Sequence, residues 1–107
     1  MNTDRIEQLK SFLKEEPNDP FLQYSLALEY LKMEQDSDAL TIFENLLHDH
    51  EDYLPTYYHC GKLYEKLIKK EEAIACYEKG ILLSKKQNHS RTLREINEAL
   101  NSLRFEV

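Results

Sequence analysis

Residues 54–87 read LPTYYHCGKLYEKLIKKEEAIACYEKGILLSKKQ, and residues 20–53 read PFLQYSLALEYLKMEQDSDALTIFENLLHDHEDY. A shift of 34 residues lays Tyr24 on Tyr58, Tyr30 on Tyr64, Ala39 on Ala73 and Glu44 on Glu78. The same shift pairs Ala27 with Gly61, Leu26 with Cys60, Leu40 with Ile74, Phe43 with Tyr77 and Leu47 with Ile81. Small residues fall on small ones and aromatics on aromatics, which is the mark of a recurring packing unit rather than of shared composition. Moving outward, Ile6, Leu9, Phe12 and Leu13 align with Leu40, Phe43, Leu46 and Leu47. The first helix therefore reads as the second half of such a unit.

Apolar residues recur at steps of three and four throughout the chain, as in Leu22, Leu26 and Tyr30 or Tyr57, Cys60, Gly61 and Tyr64. This is helical periodicity. Leu93, Ile96, Leu100 and Leu103 form a last stripe. Breaks fall at Pro17-Asn18-Asp19-Pro20, Gln35-Asp36-Ser37, Asp52-Tyr53-Leu54-Pro55, Lys69-Lys70-Glu71 and the polar run 85–90. Residues before Pro avoid the helical region, and Pro suits a first helical turn. Six helices are expected, near 3–15, 20–33, 37–49, 54–67, 71–84 and 91–104, with Thr92 and Glu95 spaced as a capping box.

Composition narrows the function. The chain has 107 residues, of which 2 are Gly and 3 Pro, too little turn material for a sandwich or barrel. Its length suits one domain with a core that needs no metal or disulfide staple. A net charge of −6 argues against a general nucleic-acid or anionic-membrane binder. No apolar run approaches a membrane span, and the opening residues carry acids where a signal peptide would be basic and then apolar. Two cysteines are not a disulfide scaffold, so the expected location is cytoplasmic.

The 34-residue helix–turn–helix unit resembles the tetratricopeptide repeat (TPR). Residues 54–87 carry the family's pattern in Tyr57, Cys60-Gly61, Tyr64, Ala73, Tyr77 and Gly80. Residues 20–53 follow it with Gln23 at the opening aromatic, Leu26-Ala27, Tyr30, Ala39 and Phe43, and with Leu46 at a usually small position. Pro17 stands where the family closes a preceding unit, whereas Glu51 and Lys85 replace that Pro later. The resemblance implies an all-α, right-handed solenoid of stacked antiparallel helix pairs. It divides one domain, 1–107, into a half-repeat (1–19), two repeats (20–53 and 54–87) and a capping helix (88–107).

The resemblance also places the first helix of each repeat on a concave surface that holds an extended peptide or a partner helix. That assigns Phe21, Tyr24, Leu28 and Leu31 to partner binding in the first repeat, and Pro55, Tyr58, Lys62 and Glu65 in the second. The surface is apolar and aromatic on one helix, charged on the other. Tyr24, Leu28 and His59 stand where the chaperone-tail clamp of some family members needs Lys, Asn and Asn, so that ligand is disfavoured. The expected function is a protein–protein interaction module or scaffold. The alternative is a self-assembling structural protein whose apolar stripe is a homodimer interface.

Signs of chemistry are sparse. Two glycines exclude phosphate-cradling loops, and no Ser/His/Asp set or carboxylate pair is spaced for catalysis. His48-Asp49-His50-Glu51-Asp52 is the nearest approach to a metal signature, but alternating ligands do not share a helical face. It reads as a solvated helix end. Cys60 and Cys76 read as small core residues. No enzyme activity, cofactor or metal is expected. Charge, however, is unevenly spread: residues 1–61 hold 4 basic against 13 acidic residues, and residues 62–94 hold 9 against 4. Such a dipolar surface orients a partner or a second copy.

Overall fold

The computed structural model describes residues 2–106; Met1 and Val107, the outermost residues of the expected domain, lie outside them. Six helices and no strand occur among the described residues: α1 (Asn2–Glu15), α2 (Pro20–Lys32), α3 (Asp36–Asp49), α4 (Pro55–Lys66), α5 (Lys70–Lys86) and α6 (Ser90–Arg104). They form two compact units, divided between Tyr53 and Leu54.

In the first unit α1 packs on α2 and α2 on α3. Asp19 starts α2, its carboxylate accepting hydrogen bonds from the backbone N–H of Phe21 (2.9 Å) and Leu22 (3.2 Å). Pro20 fills the first helical position, where a missing N–H costs nothing. Ile6, Leu9 and Leu26 form one buried cluster, with Leu13, Leu22, Tyr30, Met33 and Ile42 packed against it, and Phe43 and Leu46 of α3 are fully buried too. Ala27 and Ala39 are fully buried, as close helix approach requires. Phe12 departs from its repeat counterpart: Leu46 is buried whereas Phe12 is 52% exposed. The half-repeat has α2 as its packing partner and leaves that side of α1 uncovered.

In the second unit α4 packs on α5 and α5 on α6. The Gly61 backbone touches the Tyr77 ring: a Cβ on Gly61 would lie 2.2 Å from Tyr77 Cε1. Gly80 is likewise wedged, with Tyr57 Cβ and Ile96 Cδ1 each 2.8 Å from where its own Cβ would stand. Both glycines are thus points where a helix backbone lies directly against a neighbouring helix's side chain. Ile96, Ala99, Leu100 and Leu103 bury the inner stripe of α6 against α5, Leu93 less completely, while Arg91, Arg94, Glu95 and Glu98 are exposed. Arg104 pairs with Glu78, fastening the end of α6 to α5.

Three helices end in the same way without a glycine. Glu34, Ile68 and Asn88 adopt left-handed backbone (φ 57°, 60° and 57°) just past the ends of α2, α4 and α5. The next residue's N–H then reaches back to a carbonyl five residues earlier: Gln35 to Tyr30 (2.9 Å), Lys69 to Tyr64 (2.8 Å) and His89 to Ser84 (2.9 Å). These are Schellman closures, which satisfy the orphan carbonyls of a helix end. They correct two of the expected turns. The breaks fall at 33–35 and 67–69, so Asp36-Ser37 and Lys70-Glu71 already belong to the next helix. The capping box at Thr92 and Glu95 is absent as well. α6 starts at Ser90 after His89, which makes no side-chain cap, and Glu95 lies beside Arg91 (3.8 Å) one turn back.

Candidate functional site

The eight residues assigned to partner recognition sit on α2 and α4, four on each. On α2, Phe21 is 59% exposed in the first turn, and Tyr24, Leu28 and Leu31 are half-buried. A spacing of three, four and three puts them along one side of the helix. The opposite side carries Leu26 into the core, with Leu22 packed against it. The Tyr24 ring meets Tyr53 edge to face at 5.7 Å. Burial, with Tyr53 adding to it, raises the Tyr24 hydroxyl above the usual phenol range. Tyr53 is raised too, by burial and then by the nearby Asp19 carboxylate. Both hydroxyls stay neutral donors at physiological pH. Tyr53 has no place in a helical stripe, because it lies in the connection after α3, and sequence spacing could not find it.

On α4 the same register is polar. Pro55 is exposed at the first helical position and Tyr58 is half-buried. The Lys62 ammonium lies 5.7 Å from the centre of the Tyr58 ring, a cation–π contact, and 3.9 Å from Glu65. His59 packs edge-on against Tyr58 (5.4 Å), and burial, partly opposed by Glu95, holds its imidazole below the usual histidine range. Glu65 has a second duty: its carboxylate accepts a hydrogen bond from the buried Tyr77 hydroxyl of α5. Burial and that bond to Glu65 push the Tyr77 hydroxyl far above its ordinary value. Glu65 is therefore a tie between helices as well as a face residue. Twelve residues separate the pair, which gives sequence spacing no signal.

Elsewhere the structure offers little chemistry. Among the described residues no group of three His, Cys, Asp or Glu side chains is placed to hold a metal ion. His48 pairs with its neighbour Asp49 (2.8 Å) at the exposed end of α3. Cys60 and Cys76 are buried thiols with no disulfide. No described helix is long and apolar enough to cross a membrane. Glu29, on α2, is almost fully buried where the second repeat has Leu63, and Lys32 answers its charge at 3.0 Å.

The chain is similar in fold and sequence to a tetratricopeptide repeat domain protein from Salinibacter ruber. Its crystal structure is 40% identical to this chain over 81% of the chain and 98% of its own length, with a TM-score of 0.79. The chain belongs to the tetratricopeptide repeat family. A solution structure of the domain from the same organism agrees (41% identity, 81% and 88% covered, TM-score 0.78). The TPR fold extends to more distant structures. One is the first TPR domain of Spaghetti, solved with the HSP90 peptide SRMEEVD (24% identity, 94% and 81% covered, TM-score 0.72). No family model matches the chain, and no curated protein matches it.

Proposed function

We propose that this TPR chain is a protein-interaction module that works without catalysis, as a single domain spanning 1–107 and in the cytoplasm. Phe21, Tyr24, Leu28 and Leu31 of α2, with Pro55, Tyr58, Lys62 and Glu65 of α4, contact a peptide segment or a partner helix. The observation that carries this reading is the division of labour on α2. One side is spent on the core through Leu22 and Leu26, while the other keeps Phe21 largely open and Tyr24, Leu28 and Leu31 half-open. An aromatic with a polar handle is the side chain most often found at the centre of recognition surfaces. Lys62, held over Tyr58, contributes orientation and association rate more than affinity.

The peptide-bound fold neighbour supports a segment as ligand, but the residues differ from a carboxylate clamp. Tyr24, Leu28 and His59 offer rings and an aliphatic chain where a clamp needs amines and amides. Affinity capture from a native lysate, comparing the wild type with Tyr24→Ala/Tyr58→Ala, tests the proposal. The double variant is expected to keep its helical signal and lose the captured protein. Unchanged capture would remove these faces from the function. Sedimentation of both forms at several concentrations covers the homodimer alternative, for which the variant would convert an oligomer into monomers.

A further inference from the structure

We propose that the first unit carries a second binding site, a cleft between the α1–α2 turn and α3 that takes a guanidinium or ammonium group on an aliphatic chain. The cleft holds about 300 Å³, the lower end of the range for ligand pockets. Leu13 of α1, Leu26 of α2 and Ile42 of α3 supply its apolar lining. Asn18, Gln23, Asn45 and Asp49 supply the polar lining. Leu26 looks away from Phe21, Tyr24, Leu28 and Leu31, so the cleft is separate from the recognition face of the same helix.

Repeat register supplies the first argument. The position that holds the buried Tyr57 ring in the second repeat holds Gln23 in the first, a shorter and half-buried amide. Asn45 and Asp49 stand where the second repeat has Lys79 and Leu83. A ring, a cation and an aliphatic chain have thus given way to two amides and a carboxylate around one cleft. Departures from a packing pattern of this kind gather at functional sites. The chemistry of the lining supplies the second argument. Gln23 Nε2 donates to the Pro17 carbonyl at 2.8 Å, which leaves the Gln23 oxygen as an acceptor. Asp49 pairs with the exposed His48 ring through Oδ1 at 2.8 Å, and a carboxylate has capacity for further donors. No Lys or Arg is among the described residues that line the cleft. Acceptors and a negative charge beside apolar side chains suit an aliphatic stem with a cationic head. The wider field has the same sign, since residues 1–53 carry 4 basic against 13 acidic residues. A carboxylate ligand would meet Asp49 with no cation in the lining to answer it.

Three probes test the assignment in titrations of nitrogen-15-labelled chain followed by NMR: an end-blocked Gly-Arg-Gly peptide, its citrulline counterpart with a neutral urea in place of the guanidinium, and butylguanidine. The arginine peptide is expected to shift the side-chain amide signals of Asn18, Gln23 and Asn45 and the backbone signal of Asp49. It should bind about tenfold more tightly than the citrulline peptide, and Asp49→Asn should erase most of that margin. Gln23→Tyr, which restores the ring of the second repeat, should abolish the shifts while the helical signal holds. Weaker binding of butylguanidine than of the arginine peptide would assign a protein side chain as the source; equal or tighter binding would assign a free alkyl cation, and both keep the site. Equal binding of the citrulline peptide, or undiminished binding to Asp49→Asn, would refute the cation. Shifts confined to Phe21, Leu28 and Leu31, or no shift at all, would refute the cleft. None of these failures touches the recognition face, which is tested at Tyr24 and Tyr58, outside the cleft lining.

Discussion

Gly61→Ala adds one methyl group at the tightest point of the second unit. Its carbon would stand 2.2 Å from Tyr77 Cε1 and 2.7 Å from Cδ1 and Cζ. Comfortable carbon contacts begin near 3.5 Å, so the ring must retreat by more than an ångström. Tyr77 is fully buried, and its hydroxyl is bonded to Glu65, so retreat disturbs the packing and this bond together. Overpacking of this kind costs about 1–3 kcal/mol and a weakened hydrogen bond about 1 kcal/mol more. Alanine's better helix propensity returns about 1 kcal/mol. The expected net loss is about 1–3 kcal/mol, a fall in melting temperature of roughly 5–15 °C for a domain of this size. Thermal and urea unfolding followed by circular dichroism measure it. Tyr77→Leu, which removes the obstructing ring, should make the added methyl far less costly in a double-mutant cycle. If Gly61→Ala melts at or above the wild-type temperature, the contact between Gly61 and the Tyr77 ring is not what holds α4 and α5 together.

Further expectations rest on other features. Ile68→Asn should stabilise the chain by about 1 kcal/mol in urea unfolding, because a β-branched residue is strained at φ 60° and this one is 88% exposed. Tyr77→Phe should cost about 1–2 kcal/mol at neutral pH by stranding a half-buried Glu65. The Tyr77 hydroxyl is raised in the folded chain, so its contribution is complete below the ordinary phenol value of 10.0 and is lost as pH rises beyond it. The wild type should therefore lose stability above about pH 10 more steeply than Tyr77→Phe in a pH series of melting curves. Deleting residues 88–107 strips α6 from α5 and should yield an aggregating chain in size-exclusion chromatography, as repeat proteins without caps do. A monodisperse truncation with an unchanged melting temperature would mean that α6 is not a cap.

What sequence made legible was whatever repeats or keeps a helical period. Ala27 and Gly61, Tyr30 and Tyr64, Phe43 and Tyr77 announce the helix pairs because packing demands the same side-chain size at the same place in each unit. The α6 stripe was legible for a similar reason, since one narrow apolar side on a polar helix can only face inward. The turns were harder. Glu34 and Ile68 enter the left-handed region without glycine, so composition gave no sign of where α2 and α4 stop. The exposure of Phe12 was hidden because alignment with Leu46 reports a register and not whether a neighbour covers it. The site was half legible. Register singled out the side of α2 that stays open, but Tyr53 and the Glu65–Tyr77 tie depend on contacts between separate elements, which no spacing rule encodes.

In the proposed function a partner segment lies against the first helix of each TPR repeat. Hydrogen–deuterium exchange of the chain, with and without the protein it captures from lysate, tests that claim most directly. Slowed exchange is expected over α2, Pro20–Lys32, and α4, Pro55–Lys66, with α3 and α5 little changed and the effect abolished in Tyr24→Ala/Tyr58→Ala. Protection centred on α3 and α5, with α2 and α4 exchanging as in the free chain, would contradict it.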